Sequence, residues 1–235
     1  MERIQKLLAT SGHGSRRDIE QWIRDGRVTL AGRVVQLGDR AAAGADLRLD
    51  GQLLASTAPR ARAVLIYNKP VGEVTTRRDP AGRPTVFERL PAPASGRWVV
   101  IGRLDVNTTG LLLFTTDGAL AHRLMHPSAE IEREYLVRVH GRPGPEALDR
   151  LRRGVTLEDG PANFDRIESG GQSESHSWYR VTLREGRNRE VRRLWQEVGF
   201  EVSRLARLRY GRVALPEDLR PGGWRLMSPA EALLL

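Results

Sequence analysis

The chain has 235 residues, with 38 Lys and Arg against 29 Asp and Glu, a formal net charge of +9, and no cysteine. This length predicts one or two domains with a core that needs no covalent cross-links. The absence of cysteine excludes disulfides, thiolate metal sites, iron–sulfur clusters and a cysteine nucleophile. No apolar run approaches the roughly 20 residues of a membrane span, and the charged N-terminal segment lacks the apolar core of a signal peptide. We therefore expect a cytoplasmic protein without a membrane partner.

The positive charge is carried almost entirely by arginine, since Lys6 and Lys69 are the only lysines. Basic side chains neutralise phosphates and displace their counterions, so this balance favours a nucleic acid as partner. Arginine is better than lysine at bidentate phosphate contacts and at stacking on bases. A skew toward arginine also follows from genomic base composition, so the charge by itself leaves the partner open.

The first third of the chain opens with two helical patterns. Residues 3–10 carry apolar side chains at helical spacing and predict a short amphipathic helix. Ser15, followed by Asp18 three residues later, has the pattern of a capping box and predicts the start of a second helix. A tight hairpin is expected with its turn at Ala31, and one further strand over Asp46–Leu53. The segment therefore predicts a small unit of two helices followed by short strands.

The segment RIQKLLATSGHGSRRDIEQWIRDGRVTLAGRVVQLGDR resembles the S4 RNA-binding domain along nearly its whole length. That domain occurs in ribosomal protein S4, in bacterial tyrosyl-tRNA synthetases and in several rRNA-modifying enzymes. The resemblance implies contact with RNA but does not say which RNA. Taken alone, two arginines at the start of a helix are equally compatible with a solvated helix face. The residues through which the resemblance implies RNA contact are Arg3, Lys6, Ser15, Arg16, Arg17 and Arg27.

We assign residues 1–55 to this RNA-binding unit, residues 56–62 to a linker and residues 63–235 to a larger domain. The linker assignment rests on small, polar and proline-containing sequence without periodicity. In the larger segment, apolar runs that predict strands outnumber the helical patterns, and their connections are irregular. The prediction is an α+β fold in which a mixed, mostly antiparallel sheet is flanked by helices.

Several common types of enzyme site are missing from the sequence. It contains no GxxxxGK[ST] phosphate loop, no GxGxxG after a strand and no GxSxG nucleophile elbow. His122 and His126 are spaced i, i+4 on a predicted helix, but no cysteine or nearby acidic residue supplies a third ligand, so we expect no metal site. The remaining possibility is a reaction carried out by side chains alone, without these motifs and without a metal ion.

One acidic residue stands where an apolar strand enters a loop rich in glycine, asparagine and threonine. This is Asp105 in IGRLDVNTTGLLLFTTDG, a position from which a side chain can project into a cleft. A lone aspartate at such a position is usually a turn former. The whole segment, however, resembles the signature of the RsuA-like pseudouridine synthases. Further segments similar to the RluB-type branch of that family are DPAGRPTVFERLP, LMHPSAEIEREYLVRVHG, LEDGPA and LREGRNREVRRLW.

The resemblance implies roles for several residues of the larger domain. Asp105 matches the catalytic aspartate of the family, and Tyr135 matches the tyrosine that stacks on the target uracil. Arg192 matches the basic residue that pairs with the aspartate, and Arg103 an arginine near the flipped nucleotide. Further residues expected around the substrate are Arg187 and the apolar pair Val191 and Leu194, which should form a wall beside the base.

The implied reaction breaks the bond between N1 and C1′ of uridine, turns the base and rejoins it through C5. It needs no redox step and no external group, so we expect no cofactor. Asp105 would act as a nucleophile at C1′ or as a base at C2′, and both roles require its ionised form. An arginine partner favours that form, and stacking on Tyr135 offsets part of the free energy of moving the base out of its helix.

The implied target is a uridine of 23S rRNA, at position 2605 in conventional numbering, in rRNA or in a large-subunit assembly intermediate. We expect the protein to act as a monomer. Two other functions stay open at this level. One is an RsuA-type synthase that acts on 16S rRNA, and the other is a non-catalytic, rRNA-binding assembly factor that keeps the fold.

Overall fold

The structure is a computed structural model that describes residues 1–54 and 62–235. Most of the predicted linker, residues 56–61, lies outside the described residues. Within the described part the chain forms two compact units, and each has its own core. The smaller unit comprises residues 1–63, 92–99 and 116–118, and the larger comprises residues 64–91, 100–115 and 119–235.

The smaller unit contains two helices and short antiparallel strands, as predicted. Strands β1 and β4 pair with each other, and a four-stranded sheet has the order β3-β2-β5-β6. Its elements are β1 (Glu2–Arg3), α1 (Ile4–Thr10), α2 (Arg16–Arg24), β2 (Val28–Leu30), β3 (Arg33–Val34), β4 (Arg40–Ala41), β5 (Leu47–Leu49) and β6 (Gln52–Leu53).

The start of α2 confirms the capping box expected from the sequence. The Ser15 hydroxyl accepts a hydrogen bond from the backbone N–H of Asp18, and the Asp18 carboxylate accepts one from the N–H of Ser15. This reciprocal pair satisfies two N–H groups that the first helical turn leaves without partners. It also directs Ile19 and Ile23 into the core that α2 shares with Ile4 of α1.

The prediction of a single strand over Asp46–Leu53 was wrong, because the structure has two strands there, β5 and β6. Asp50 and Gly51 lie between the two strands with positive φ values of 51° and 79°. Two consecutive left-handed residues form the turn that suits a two-residue hairpin, and Asp-Gly is a favoured pair for it. The Asp-Gly pair is a turn signal in the sequence. The alternating apolar residues on both sides of the pair nevertheless suggested one continuous strand.

The larger unit is built around one extended sheet. Its strands lie in the order β13-β14-β10-β15-β9-β7-β17, with β16 beside β15 and β8 beside β9. The elements are β7 (Val64–Lys69), β8 (Val99–Ile101), β9 (Thr109–Thr115), α3 (Gly118–Met125), a 3₁₀ helix (Pro127–Ala129), β10 (Arg133–His140), α4 (Pro145–Arg153), β11 (Val155–Leu157), β12 (Gly160–Ala162), β13 (Arg166–Gln172), β14 (His176–Leu183), α5 (Glu190–Glu197), β15 (Val202–Tyr210), β16 (Val213–Ala214), β17 (Trp224–Leu226) and α6 (Pro229–Ala232).

The pairing directions confirm the predicted α+β class with a mixed, mostly antiparallel sheet. Neighbouring strands along the sheet run antiparallel except β15 and β9, which run parallel. On β10, buried residues alternate with partly exposed ones from Arg133 to Val139, so one face of the strand packs into the core. In the described residues, no helix is long and apolar enough to cross a membrane.

The strand register brings four distant residues into one row across the sheet. Lys69 on β7 faces Gly110 on β9, Gly110 faces Arg207 on β15, and Arg207 faces Tyr135 on β10. Directly opposed residues of neighbouring strands place their side chains on the same face of the sheet. A register shift between Glu134 and Tyr135 marks an irregularity of β10 at this row, and such bulges redirect the side chains beside them.

Glycine is required at the centre of this row. Gly110 has φ of +97°, and a Cβ there would lie 2.8 Å from the backbone nitrogen of Arg207 and nearer still to its carbonyl oxygen. No such contact is tolerated between a side-chain carbon and backbone atoms. The parallel approach of β9 to β15 therefore depends on the missing side chain of Gly110.

We predict that Gly110→Ala lowers the free energy of unfolding by more than about 3 kcal/mol, because it combines strain at positive φ with a clash against backbone. Gly72 is a matched control, since its φ of +94° is similar and a Cβ there meets nothing within 4 Å. Gly72→Ala should lose only about 1–2 kcal/mol. Urea unfolding followed by circular dichroism measures both, and equal losses would contradict the proposed clash.

Candidate active site

A cavity of about 480 Å³ lies at the row of aligned residues in the larger unit. Five of the residues expected around the substrate line it, although they come from three separate parts of the sequence. They are Arg103, Asp105, Tyr135, Arg187 and Val191. The volume lies within the range of small-molecule sites, so the cavity can admit one nucleoside.

The turn that carries Asp105 is held in place by hydrogen bonds from Lys69. This lysine is completely buried, and its Nζ donates hydrogen bonds to the backbone carbonyls of Asp105 at 3.1 Å and Thr108 at 2.9 Å. It also reaches the carbonyl of Pro70 at 3.0 Å. Because these oxygens belong to the turn itself, the ammonium group sets the position of the turn and therefore of the Asp105 side chain.

Burial lowers the pKa of Lys69 to about 8, and the carboxylates of Glu73 and Asp105 oppose that shift. Glu73 is itself buried, accepts a hydrogen bond from the Tyr67 hydroxyl at 2.6 Å and pairs with Arg89 at 2.8 Å. Desolvation and the bond to Glu73 raise the pKa of Tyr67, so its phenol stays protonated. The charge of Lys69 is thus influenced by two carboxylates, that of Asp105 at the cavity and that of the buried Glu73.

The ion pair of Asp105 is formed with Arg189, and the pairing expected with Arg192 was wrong. Nη1 of Arg189 lies 3.9 Å from Oδ2 of Asp105, and both side chains are partly exposed. Arg189 directly precedes α5 and adopts a left-handed conformation with φ of 50°. For a residue other than glycine this conformation is strained, and such strain is concentrated at functional sites.

Arg192 contacts the turn rather than the carboxylate. Its Nη2 donates to the carbonyl of Asn107 at 3.0 Å and its Nη1 to the carbonyl of Val202 at 2.8 Å. Three residues beyond Arg189 on the helix, it lines an adjacent cavity of about 470 Å³ beside Phe200. Burial and Arg189 lower the pKa of Arg192, whereas the charge of Asp105 raises it. The guanidinium therefore connects the Asp105 turn to β15 and acts on the carboxylate only at longer range.

The walls of the cavity are partly aromatic and apolar. Tyr135 is 8% exposed, and it lines the cavity together with Val191 and Leu205. The expectation for Leu194 was wrong, because this residue is completely buried in the core under α5 and does not line the cavity. Helical geometry explains the difference, since residues three apart on a helix are rotated by about 60° from each other. Leu205, on β15, takes the position that the sequence suggested for Leu194.

The two other expected arginines differ in how freely they can bind a ligand. Arg103 is exposed at the mouth of the cavity. Arg187 donates to the carbonyls of Gly160 and Pro161 and to the carboxylates of Asp159 and Glu190. Its guanidinium is therefore committed to holding the β11–β12 hairpin against the start of α5.

Three further arginines, to which the sequence assigned no individual role, also line the cavity. They are Arg133, Arg189 and Arg207, and the first and last are less than 10% exposed. Both lie beside the Tyr210 ring, with the guanidinium carbons 5.1 Å and 5.2 Å from its centre. An alternating strand pattern places Arg133 on the buried face of β10, and this was the available signal. The cavity lining thus combines five arginines with the single carboxylate of Asp105.

In the smaller unit, the residues expected to contact RNA divide by what they already bind. Arg16 and Arg17 are exposed in the first turn of α2, as Arg3 is just before α1. The Ser15 hydroxyl is used in the cap, and Lys6 pairs with Glu2 at 2.6 Å. Arg27 forms a bidentate pair with Asp50. The exposed guanidiniums at the start of α2 are accordingly the most available phosphate ligands of this group.

Comparisons with known proteins show which families the chain resembles. A family model described as RNA pseudouridylate synthase matches residues 63–197, and one described as S4 domain matches residues 2–47. Ribosomal large subunit pseudouridine synthase B of Escherichia coli K12 is 56% identical over 234 residues, which cover 98% of this chain and 80% of that protein. The protein of the same name from Yersinia pestis is 57% identical over 227 residues, with 95% and 71% covered. A crystal structure of a pseudouridylate synthase aligns over all of both chains with a TM-score of 0.69 and 27% identity.

We predict that Lys69→Met loosens the turn that carries Asp105. Methionine fills a similar volume but cannot donate to the three carbonyls, and a hydrogen bond to a charged group contributes about 1.5–3 kcal/mol. Hydrogen–deuterium exchange of the backbone N–H groups of residues 104–109 should accelerate by about 10-fold to 100-fold. Arg212→Met, at an exposed position, should leave this exchange unchanged. If the turn kept its native protection in Lys69→Met, the lysine would not hold it.

Proposed function

The chain belongs to the RNA pseudouridylate synthase family, and from that membership we propose that it converts a uridine of large-subunit rRNA into pseudouridine with Asp105 as the catalytic carboxylate. The observation that carries the proposal is the arrangement around Asp105. It is the one carboxylate among the lining residues of a nucleoside-sized cavity, and an arginine pairs with it while Tyr135 forms part of the wall.

Asp105 is suited to the chemistry at the ribose. As an anion beside C1′, it can add to that carbon, or it can remove the proton from C2′, while the bond between C1′ and N1 breaks. Either role requires the carboxylate as an anion, and Nη1 of Arg189 lies 3.9 Å from its Oδ2. Lys69 and Arg192 hold the backbone of the turn on two sides, so the carboxylate is positioned before the substrate arrives.

Tyr135 and the cationic walls are suited to receiving the nucleotide. Moving a base out of its stack costs a few kcal/mol, and stacking on an aromatic ring recovers about 1–3 kcal/mol per base. The phenol of Tyr135 can also exchange a proton with C5 of the uracil. Arg103, exposed at the mouth, is placed to contact the phosphate on either side of the flipped nucleotide.

For the substrate, the relatives' names favour the large subunit, and we propose 23S rRNA with uridine 2605 in conventional numbering as the target. The S4 match supports RNA binding by the smaller unit, through Arg16 and Arg17 above all. We further propose that the protein acts as a monomer, on 23S rRNA or on a large-subunit assembly intermediate.

The two alternatives have less support. An RsuA-type enzyme of 16S rRNA has the same chemistry, but the relatives at 56% and 57% identity are named for the large subunit. A non-catalytic assembly factor would need none of the positioning around Asp105. The buried lysine under the turn and the strained Arg189 are features of a site that holds a carboxylate in a defined position.

We predict that Asp105→Asn abolishes catalysis while RNA binding stays intact. The amide has the same shape but neither charge nor basicity, so single-turnover release of tritium from C5-labelled uridine in rRNA should fall by at least about 10³-fold. RNA affinity should change by less than about threefold, because one side chain among many contacts is altered. Asp149→Asn, on exposed α4, is the control and should act at the native rate. Tritium release by Asp105→Asn near that rate would remove the carboxylate from the mechanism.

We predict that deleting the gene removes one pseudouridine from 23S rRNA and none from 16S rRNA. Base-resolution mapping of both rRNAs from the deletion strain measures this directly, and a plasmid carrying the native gene should restore the site. A plasmid carrying Asp105→Asn should not restore it. Loss of a site in 16S rRNA instead would establish the RsuA-type alternative.

A further inference from the structure

Arg207 is a buried cation without a carboxylate partner, and it lines the cavity that contains Asp105. It is 2% exposed, and its Nε donates to the carbonyl of Leu111 at 2.8 Å. Its Nη2 is buried and, among the described residues, has no hydrogen-bond partner. No ion pair of the described chain includes Arg207, so its charge is compensated only by the carbonyl and the Tyr210 ring.

A second unsatisfied polar atom belongs to another residue that lines the same cavity. Thr108, within the turn that Lys69 holds, is 3% exposed, and its Oγ1 has no partner in the described residues. A buried polar group without a partner costs about 1–3 kcal/mol, and more if it is charged. Both groups belong to residues that line one cavity, so a polar ligand that binds there can complete their hydrogen bonds once the lining adjusts to it.

The sheet register places Arg207 next to the expected position of the base. Arg207 is the direct partner of Tyr135 on the neighbouring strand, and both residues line the cavity. A pyrimidine stacked on the phenol ring would therefore share this cavity with the side chain of Arg207. Arg133 lies two residues before Tyr135 on β10, and its Nη1 already donates hydrogen bonds to the carbonyls of Ile131 and Arg184.

We propose that Arg207 stabilises the negative charge of the detached uracil, and that the Thr108 hydroxyl supplies a second hydrogen bond to it. The inference rests on the proposed function and adds a role that is separate from that of Asp105. Asp105 acts on the ribose, whereas Arg207 acts on the departing base. A fixed cation in a water-poor cavity is most effective where charge develops during the reaction.

The electron balance of the reaction requires such a partner. When the bond between C1′ and N1 breaks, its electron pair stays with the uracil, and the charge spreads over N1, C5 and the two carbonyl oxygens. This holds whether Asp105 bonds to C1′ or removes the C2′ proton. The base then bonds to C1′ through C5 while the Asp105–C1′ bond breaks or, on the other route, the proton returns to C2′. C5 releases its proton and N1 takes up a proton, so no oxidant or other group is needed.

The turning of the base explains why one cationic donor can serve throughout. Rotation by half a turn about the axis through N3 and C6 exchanges N1 with C5 and also exchanges O2 with O4. A donor that contacts O2 before the rotation therefore contacts O4 after it. Arg207 can stabilise the anion at both ends of the rotation without moving.

The test compares Arg207→Gln with the native chain on RNA that contains either uridine or 2-thiouridine at the target position. Single-turnover rates come from chromatographic separation of the C5-linked nucleoside. On uridine, Arg207→Gln should be slower by about 10²-fold, with RNA affinity unchanged. Sulfur stabilises the pyrimidine anion by itself and accepts only a weak hydrogen bond, so on 2-thiouridine the defect should shrink by about tenfold or more. A purely structural role would slow both substrates equally, and that result would overturn the proposal.

Matched variants separate this role from loss of fold or of general charge. Arg204→Gln removes an exposed arginine from the same strand and should react at the native rate. Arg207→Lys keeps the charge and should show an intermediate defect, while Thr108→Val keeps its shape and should lose about tenfold. If Arg207→Gln does not fold, native rates in both Arg207→Lys and Thr108→Val overturn the proposal. Absence of pseudouridine formation by the native chain would instead contradict the proposed function.

Discussion

The hydrogen bonds from Lys69 to the backbone carbonyls of the Asp105 turn are the contact on which the site depends. An ammonium group with no exposed surface is unusual in a protein interior, and it is tolerated here because the turn offers several carbonyl oxygens in one place. Its strand, β7, is buried along its whole length. The position of a solvent-accessible carboxylate is thus set by a fully buried strand, in agreement with the general need for pre-organised catalytic groups.

The second feature of the site is an excess of cations over carboxylates. Arginines from strands, loops and the start of α5 surround Asp105, and two of them are buried beside Tyr210. Buried charges without ionic partners reduce stability. In the proposed function, the exposed arginines would contact phosphates of the substrate, and the buried Arg207 would stabilise a transient anion of the base.

The different outcomes for Arg189, Arg192 and Leu194 show how far motif reasoning reaches. The motif located the start of α5 at the cavity, and Arg187 and Val191 do line it. Which arginine forms the ion pair depended on the left-handed backbone of Arg189, and local propensity does not predict that conformation. The rotation of α5 about its axis directs Leu194 into the core, and its place on the wall is taken by a residue from a distant strand. Periodicity identifies an apolar face but does not say which neighbour that face meets.

The sequence by itself determined the helix starts, the strand periods, the fold class and the identity of Asp105 and Tyr135 as candidates. These follow from local rules and from motifs that are continuous along the chain, such as the capping box at Ser15. Tertiary structure alone decided that Lys69, Gly110, Arg207 and Tyr135 stand in one row. The physical reason is that strand register and the parallel pairing of β9 with β15 arise from packing between segments about a hundred residues apart, and no local pattern records them.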